Sequence, residues 1–452
     1  MPRPLLESDI IFPSAASNVN TTLTELKRSN LSITNRLHSI KQDAGFVLNV
    51  ADTYGLPLIA NERCGSWYIP PGRKSGSAYF KSTDGHFGQW AFSLRRLNLQ
   101  VLQMVNREGG CIIVDSTRRG KSMPDALSKT VPIWIAVFNR LLFPELPESH
   151  ALHTPPDVVS SSEHSQIEAR LPDLVGCLRD LHLDEAKLRS TLIKPMRSSW
   201  LTPGADHHLA AASTNDQYMT VVLVTASNRM SEGSHNVANY VQGAADDSES
   251  WALNLDPASF WANNGLLLAA SEDELPLLIQ SLVAKAQFVT ELRQPTLIVP
   301  SRQIWIATNA TAEQMHGGFD VVICCNASES SCLVKALKGR YIRLACGTGK
   351  NGSRQLRAEL PKLEMLATLL SADSSILVAC ETGKDLAVGV ALAILCSYFG
   401  SDGSLRLHTN GAVAEPINKS LIKQRLSWIM ASMPDASPSR ATLQSVNAYL
   451  MG

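Results

Sequence analysis

The stretch Ile376–Cys396, ILVACETGKDLAVGVALAILC, decides the fold of the C-terminal part of the chain. A short apolar run ends at Cys380, a polar loop with Gly383 and Lys384 follows, and a long apolar segment then predicts a helix. A strand, a loop and a helix N-terminus in this order present backbone N–H groups to a phosphate. The stretch therefore predicts a phosphate-binding loop in an α/β sheet domain.

Cysteine phosphatase chemistry requires more than this loop. It needs a thiolate nucleophile, usually preceded by His, and an Arg six residues later that clamps the phosphoryl oxygens. Here Ala379 precedes Cys380, and Leu386 occupies the position of that Arg. Lys384 and the backbone amides of residues 381–386 remain available to bind phosphate. The sequence favours phosphate binding over thiol catalysis, and the alternative is a plain loop after a buried cysteine.

The composition bounds the class of protein. At 452 residues with 44% hydrophobic residues, the chain can bury large cores, and its length favours two or three domains. Residues 1–17 lack a basic region followed by a long apolar core, and no apolar run approaches the roughly 18 residues of a membrane span. Nine cysteines without CxxC spacing argue against a disulfide scaffold or a zinc site. We expect a globular, cytoplasmic protein.

The charges alternate along the chain although the net charge is zero. Residues 62–129 contain 11 Lys/Arg and 5 Asp/Glu, residues 206–285 contain 2 and 10, and residues 291–362 contain 10 and 5. Two basic regions that flank an acidic one favour a polyanionic partner. The alternative is ordinary variation of surface charge.

Hydrophobic periodicity divides the chain into two parts near Pro295, and we place the domains at 1–292 and 293–452. Short apolar runs alternate with helical stretches in the second part, as is typical of an α/β domain. Helices are predicted at 23–44, 92–106, 125–142 (with a kink at Pro132), 166–193 and 275–292. Strands are predicted at 111–114, 219–224, 297–299, 304–307, 321–324 and 376–379.

A second candidate loop follows the predicted strand at 111–114. Asp115 ends that strand and could hold Mg²⁺ or a ribose hydroxyl. The hydroxyl and cationic side chains that follow suit an oxyanion, although the loop is not a Walker A motif. They are Ser116, Thr117, Arg118, Arg119 and Lys121. The alternative is a solvated basic turn.

Two further stretches carry candidate residues. In KSTDGHFGQWAFSLRRLN, cationic residues alternate with aromatics, which suits RNA through phosphate contacts and stacking. These candidates are Lys81, His86, Arg95 and Arg96. In YVQGAADDSESW, Asp246 and Asp247 could hold Mg²⁺ or act as a general base. A structural histidine with core aromatics and a solvated acidic turn are the respective alternatives.

Several long strings resemble the initiator tRNA phosphoribosyl transferase family of fungi and plants. They are NERCGSWYIPP, FKSTDGHFGQWAFSLRRLNL, IIVDSTRRGKSMPDALSKTVPIWIAVFNR, LIKPMRSSWLTP, YVQGAADDSESW and CETGKDLAVGVALAILC. The resemblance implies an α+β N-terminal domain specific to the family and a C-terminal α/β domain similar to dual-specificity phosphatases. It implies transfer of a phosphoribosyl group from phosphoribosyl pyrophosphate to the 2′-OH of a T-stem adenosine of initiator methionine tRNA, with Mg²⁺ as the expected divalent ion.

The resemblance and the residue chemistry together suggest roles for the candidates. Asp115, Asp246 and Asp247 are the candidates for base or metal ligand. The donor phosphates are assigned to Cys380, Glu381, Thr382, Gly383, Lys384, Asp385 and Leu386, and to Ser116, Thr117, Arg118, Arg119 and Lys121, which could instead hold the tRNA backbone. The tRNA is assigned to Lys81, His86, Arg95 and Arg96. A cysteine phosphatase and a non-catalytic tRNA-binding adaptor remain as alternative functions.

Overall fold

The computed structural model describes residues 31–83, 88–90, 92–204, 216–230, 239–288, 294–347, 349–406, 417–433 and 435–452. Within them lie two five-stranded sheets, one on each side of the predicted division between residues 292 and 293. Together with the helices that flank them, the sheets confirm the predicted α/β fold class.

The first sheet is entirely parallel, with the order β2-β1-β3-β5-β4. Its strands are β1 (Leu58–Asn61), β2 (Lys74–Ala78), β3 (Gly110–Asp115), β4 (Met196–Leu201) and β5 (Met219–Thr225). The second sheet has the order β6-β7-β10-β8-β9, in which only the short edge strand β6 is antiparallel to its neighbour. Its strands are β6 (Thr296–Leu297), β7 (Ile304–Thr308), β8 (Val321–Cys325), β9 (Tyr341–Leu344) and β10 (Ile376–Cys380).

Helices connect the strands and cover both faces of the sheets. In the first part they are α1 (Ile33–Tyr54), α2 (Leu99–Glu108), α3 (Val131–Leu142), α4 (Ser161–Arg179), α5 (Glu185–Ser190), α6 (Pro257–Ala262), α7 (Asn264–Ala269) and α8 (Leu275–Phe288). In the second part they are α9 (Asn309–Met315), α10 (Ser331–Leu337), α11 (Gly349–Glu359), α12 (Leu366–Leu369), α13 (Leu386–Tyr398), α14 (Lys419–Ser432) and α15 (Arg440–Met451).

The central strands are apolar along their whole length because both of their faces are covered. In β3, Ile113 belongs to the core beneath α3, whereas Ile112 belongs to the core beneath α1. In β10, Val378 packs with α13, and Ala379 packs with α10 on the opposite face. Such two-sided burial is typical of parallel sheets, and it explains why these segments read as continuous apolar runs rather than as alternating patterns.

Three of the helix predictions differ from the structure. The helix predicted at 92–106 begins only at Leu99, because Asn98 has φ 51° and its side chain bonds the backbone of Tyr79 instead. The helix predicted at 166–193 is interrupted between α4 and α5, where His182 has φ 48°. The helix predicted at 125–142 begins with a π-helical turn, Ala126–Thr130, that runs directly into α3 just before Pro132, the position of the predicted kink; π-helical turns and Pro are both common where helices bend.

The remaining predictions agree better with the structure. The strands predicted at 111–114, 219–224, 304–307, 321–324 and 376–379 are confirmed to within one residue at each end. Part of the helix predicted at 23–44 lies outside the described residues, and α1 continues to Tyr54. Across the described ranges, no helix has both the length and the apolar composition that a membrane span requires.

Candidate active site at the domain cleft

The carboxyl ends of the parallel strands bring several candidate residues to one edge of the first sheet. Asn61 ends β1, Asp115 ends β3 and Thr225 ends β5. The chain passes from β1 to β2 on one side and then returns to β3 on the other side of β1. In open α/β sheets, ligands bind outside the carboxyl ends at such a switch point. This edge is therefore the expected position of a binding site.

Asp115 is fully buried, and both of its carboxylate oxygens accept hydrogen bonds. Oδ2 accepts from Asn61 Nδ2 at 2.8 Å and from Arg63 Nε at 3.2 Å. Oδ1 accepts from the backbone N–H of Ser116 at 2.8 Å and from Cys64 Sγ at 3.0 Å. Four donors around a buried carboxylate suit a fixed anchor better than a proton acceptor or a metal ligand.

Arg63 joins Asp115 to Asp246, which is 183 residues further along the chain. Its Nη2 atom donates to Asp246 Oδ1 and, at 3.1 Å, to the carbonyl oxygen of Ser116. Burial disfavours the charge of Arg63, but Asp115 and Asp246 outweigh burial and raise its pKa. Burial raises the pKa of Asp246, against the opposing effect of Arg63. The three side chains thus form one ion-pair network at the edge of the sheet.

The loop after Asp115 is held in place by residues 240–246. Gln242 accepts hydrogen bonds from the N–H groups of Gly120 and Met230 and donates to the carbonyl oxygen of Lys121 at 2.7 Å. Gly243 has φ 66°, and a Cβ atom there would lie 2.2 Å from the carbonyl oxygen of Thr117. Only glycine allows this approach, so the two sequence motifs form a single structural unit. Arg118 and Arg119 lie exposed in that loop.

Asp247 does not belong to this network. Its side chain is 58% exposed and forms a 2.8 Å ion pair with Arg36 of α1. Arg36 also lies over the ring of Trp251, with 5.4 Å between the guanidinium carbon and the ring centroid. These contacts fasten the acidic segment to the first helix.

The loop between β10 and α13 has the strand, turn and helix order predicted from its sequence. Cys380 is buried and lies 3.9 Å from Thr382 Oγ1. Gly383 has φ 67°, and its backbone passes close to that of Ala307. Leu386, which occupies the position of the phosphatase arginine, is buried at the start of α13. The loop thus has the phosphatase-like backbone order without the arginine clamp.

Lys384 is held by the segment that precedes α15. Its Nζ atom lies 3.0 Å from Asp435 Oδ2, and its carbonyl oxygen accepts a 2.8 Å hydrogen bond from Ser437 N–H. The neighbouring Asp385 accepts hydrogen bonds from Ser439 N–H at 2.8 Å and from Thr442 Oγ1 at 2.6 Å. The loop between β10 and α13 and the start of α15 are therefore bound together.

Arg96 connects the first part of the chain to this same segment. Its Nη1 atom donates a 2.6 Å hydrogen bond to the carbonyl oxygen of Ala436, and Nη2 lies 3.3 Å from Ser437 Oγ. The guanidinium also lies over the ring of Tyr79, 5.0 Å from its centroid. Burial lowers the pKa of Arg96 from its ordinary value.

A cleft of about 1110 Å³ opens between the two parts of the chain at this point. It is large enough for a nucleotide-sized substrate, since ligand sites commonly have 300–1,000 Å³. Its lining includes the cations Lys74, Lys81, Arg95, Arg96, Lys384 and Arg440 and the carboxylates Glu62, Asp256 and Asp435. Cations outnumber carboxylates among these side chains, as a polyanionic ligand requires.

Comparison with known proteins identifies the family. Residues 26–284 match the Rit1 N-terminal domain, and residues 340–450 match the Rit1 DUSP-like domain. The chain belongs to the Rit1 family. It is 33% identical to the "tRNA A64-2'-O-ribosylphosphate transferase" of Saccharomyces cerevisiae, with 94% of each chain covered. It is also 36% identical to an uncharacterized protein of Schizosaccharomyces pombe, with 92% of this chain and 94% of the relative covered.

The family resemblance that we drew from the sequence strings is thus confirmed. So is the phosphatase-like character of the C-terminal domain of this Rit1 family member, since the matching domain is described as DUSP-like. The phosphatase-like loop and the domain matched by residues 26–284 contribute to the same cleft.

The predicted site residues do not all meet at the cleft. Lys81, Arg95, Arg96 and Lys384 line it, whereas the other loop candidates, Cys380, Glu381, Thr382, Gly383, Asp385 and Leu386, and also Asp247, are not among its lining residues. Asp115, Ser116, Thr117, Arg118, Arg119 and Lys121 lie with Asp246 at the neighbouring edge of the first sheet and are not among the cleft-lining residues. His86 lies outside the described residues. The roles proposed for these side chains therefore remain predictions.

Sequence reasoning missed Arg63 and Glu62, although both stand in the quoted string NERCGSWY. Their position could have identified them as candidates, because they directly follow Asn61 at the carboxyl end of β1. That strand was not delimited from the sequence, so nothing singled out the residues after it.

The carboxylates that we expected to bind magnesium contact protein donors in this structure. Asp115 is occupied by four donors, Asp246 by Arg63 and Asp247 by Arg36. Over the ranges that the structure describes, no three His, Cys, Asp or Glu side chains come together in a way that could hold a metal ion. These residues offer no preformed site, so magnesium stays a prediction and we derive no step through it.

Proposed function

We propose that this protein transfers a 5-phosphoribosyl group from phosphoribosyl pyrophosphate to the 2′-OH of a T-stem adenosine of initiator methionine tRNA. One observation carries the proposal: Lys384 of the phosphate loop lines the same cleft as Lys81, Arg95 and Arg96, the residues that the sequence assigns to tRNA. A cleft with both sets of cations suits a reaction between a phosphorylated donor and an RNA acceptor. The name of the Saccharomyces relative agrees with this chemistry.

The reaction explains a phosphate loop without phosphatase residues. Displacement of pyrophosphate from C1 of the donor requires a fixed donor phosphate and an acceptor hydroxyl held close to C1. Lys384 supplies a cation for the donor, and the turn at Gly383 places the loop beside the N-terminus of α13, where phosphate is favoured. The buried Leu386 provides no bidentate clamp for a phosphoryl group in transfer.

The other basic loop is assigned to the tRNA backbone. Arg118 and Arg119 are exposed beside the network of Arg63, Asp115 and Asp246, and their position depends on residues 240–246. In this proposal Asp115 and Asp246 hold Arg63 and the loop in place. Cations that bind phosphates of an RNA stem contribute affinity and orientation without reading the sequence.

The two alternative functions predict different products. A cysteine phosphatase would use Cys380 as a nucleophile and hydrolyse phosphate esters, whereas the position of the arginine clamp holds Leu386. A tRNA-binding adaptor would bind tRNA in the same cleft and transfer nothing. Magnesium as cofactor and a cytoplasmic location remain predictions from the sequence and the family resemblance.

Incubation with phosphoribosyl pyrophosphate labelled in the ribose tests the proposal. Purified protein is mixed with the labelled donor, Mg²⁺ and either initiator or elongator methionine tRNA, and label in the tRNA is counted after electrophoresis. We expect label in the initiator tRNA alone, at a 2′-O-ribosyl phosphate that nuclease digestion locates in the T stem. If neither tRNA becomes labelled although the protein binds tRNA, the result would favour the non-catalytic tRNA-binding adaptor.

A further inference from the structure

The transfer releases the proton of the 2′-OH, and a side chain that accepts this proton must be able to reach the cleft. Among the residues that the structure describes, three carboxylates line the cleft: Glu62, Asp256 and Asp435. Asp115, Asp246 and Asp247 are not among them. The choice of base therefore concerns the side chains of the cleft and not the ion-pair network at the neighbouring edge of the sheet.

Two of these three carboxylates contact other groups of the protein that the fold or the proposed donor site needs. Asp435 forms the 3.0 Å ion pair with Lys384, which we assign to the donor phosphate. Asp256 is the N-cap of α6, where its Oδ1 accepts a 2.6 Å hydrogen bond from Ser259 N–H. We therefore assign Asp256 to the helix N-terminus that it caps and Asp435 to the cation that the proposal gives to the donor.

Glu62 has the position and the support that a base needs. It follows the last residue of β1, at the carboxyl edge of the parallel sheet beside the switch point. Oε1 accepts hydrogen bonds from Lys74 Nζ at 2.8 Å, from Ser66 Oγ at 2.9 Å and from Ser77 Oγ. Oε2 accepts from Ser66 Oγ at 2.8 Å. These donors fix the rotamer of the carboxylate through its Oε1 side.

Oε2 keeps room for the acceptor hydroxyl. A carboxylate oxygen has two lone pairs, and among the described residues Ser66 is the one donor within hydrogen-bond distance of Oε2. The side chain of Glu62 is 37% exposed, in contrast to the fully buried Asp115. A hydroxyl that enters the cleft can therefore reach Oε2, whereas it cannot reach Asp115.

We propose that Glu62 is the general base of the transfer, and this assignment rests on the proposed function. The oxygen of the adenosine 2′-OH forms a bond to C1 of the donor ribose, and the bond from C1 to the pyrophosphate oxygen breaks with its electron pair. The proton of the 2′-OH passes to Glu62 Oε2 and leaves to solvent after the product departs. Lys74 acts as a positioning residue that holds Oε1.

The rate of a single turnover tests this assignment. Wild type, Glu62→Gln, Glu62→Asp and Asp256→Asn are compared at saturating donor and initiator tRNA. Asp256→Asn removes the same charge from the same cleft and keeps an N-cap side chain, since Asn and Asp cap equally well. We expect Glu62→Gln to lower the rate by about 10²–10⁴-fold, and Asp256→Asn to change it by less than about tenfold.

Affinity, stability and the conservative variant separate a base from a structural residue. Binding of the tRNA, measured by filter retention, and the Tm should change little in Glu62→Gln. Glu62→Asp, which keeps a carboxylate, should recover part of the rate.

Three outcomes would overturn the assignment while the proposed function stands. The first is a Glu62→Gln variant that transfers at the wild-type rate. The second is a loss of rate that is matched by an equal loss of tRNA affinity or by unfolding of both Glu62 variants. The third is a loss that excess Mg²⁺ restores, because Glu62 would then be a metal ligand. A wild type that transfers no label would instead contradict the proposed function itself.

Discussion

Arg96 donates a 2.6 Å hydrogen bond to the carbonyl oxygen of Ala436, 340 residues further along the chain. The next residue, Ser437, donates its N–H to the carbonyl oxygen of Lys384. A cation of the first domain thus contacts the segment that is hydrogen-bonded to the loop between β10 and α13 of the second domain. This chain of contacts joins the proposed tRNA face and the proposed donor face of the cleft.

Replacement of this arginine should loosen the segment. Arg96→Ala removes hydrogen bonds from a charged group, a loss of about 1.5–3 kcal/mol, and we expect faster amide hydrogen exchange at residues 435–442 and a lower rate of transfer. Arg95→Ala is the matched control, because Arg95 lines the cleft and is exposed. It should weaken tRNA binding and leave exchange at 435–442 unchanged. Equal exchange in the two variants would show that Arg96 does not support the loop.

The thiol of Cys380 should be dispensable for the transfer. Cys380→Ser keeps a small polar side chain at the end of β10, and the buried Leu386 leaves the thiol without a phosphoryl clamp. We expect the variant to keep the transfer rate within about threefold, because that chemistry needs no nucleophilic catalysis by the protein. Hydrolysis of an aryl phosphate by wild type, abolished in Cys380→Ser, would support a phosphatase instead.

Asp115 should matter for stability more than for chemistry. Asp115→Asn removes a buried charge on which Arg63, Asn61 and Cys64 depend. Loss of one partner of a buried pair costs about 3–5 kcal/mol, which urea unfolding followed by far-ultraviolet circular dichroism would measure. A variant that unfolds like wild type and yet transfers nothing would return Asp115 to the role of base or metal ligand.

Two strand ends show which features of this chain could be predicted from its sequence. The ends of β3 and β10 were predictable to within one residue because buried parallel strands are continuous apolar runs that stop at polar residues, here Asp115 and Glu381. The fold class and the predicted phosphate-binding loop followed from those two strand ends. The family strings then linked the loop to a donor and a tRNA.

The cleft itself was not predictable from the sequence. Arg63 meets Asp246 across 183 residues, and Arg96 meets Ala436 across 340, so neither contact leaves a local pattern. Clustered carboxylates such as Asp246 and Asp247 predict a base or a metal site from the sequence, whereas a single glutamate such as Glu62 does not. Glu62 stands beside an arginine in a short strand-turn segment, and only the register of β1 and β2 places its carboxylate against Lys74 and Ser77.

Asp43 gives the stability of the N-terminal domain a pH dependence. Its carboxylate is buried on α1 and accepts a 2.8 Å hydrogen bond from Tyr240 Oη, and burial raises its pKa well above the ordinary value. An acid whose pKa is raised on folding stabilises the fold below its unfolded pKa, and that contribution is lost as the pH rises through the folded pKa.

Asp43→Asn removes the titrating carboxyl group and keeps a side-chain oxygen that can accept the hydrogen bond from Tyr240 Oη. We therefore expect Asp43→Asn to raise the Tm relative to wild type by an amount that increases from pH 4 to pH 8, as differential scanning calorimetry would show. Asp52→Asn, at an exposed position on the same helix, is the control and should show no such trend. A constant difference between Asp43→Asn and wild type across this range would contradict the prediction.

The central claim is that the loop from Cys380 to Leu386 binds a phosphate of the donor through Lys384 in the domain cleft. Titration calorimetry of phosphoribosyl pyrophosphate with wild type, Lys384→Ala and Lys419→Ala tests it most directly, since Lys419 is exposed at the start of α14 and is not among the cleft-lining residues. We predict that Lys384→Ala raises the Kd at least tenfold, which corresponds to a loss of about 1.4 kcal/mol of binding free energy, while Lys419→Ala binds the donor like wild type. Equal affinities in all three proteins would contradict the claim.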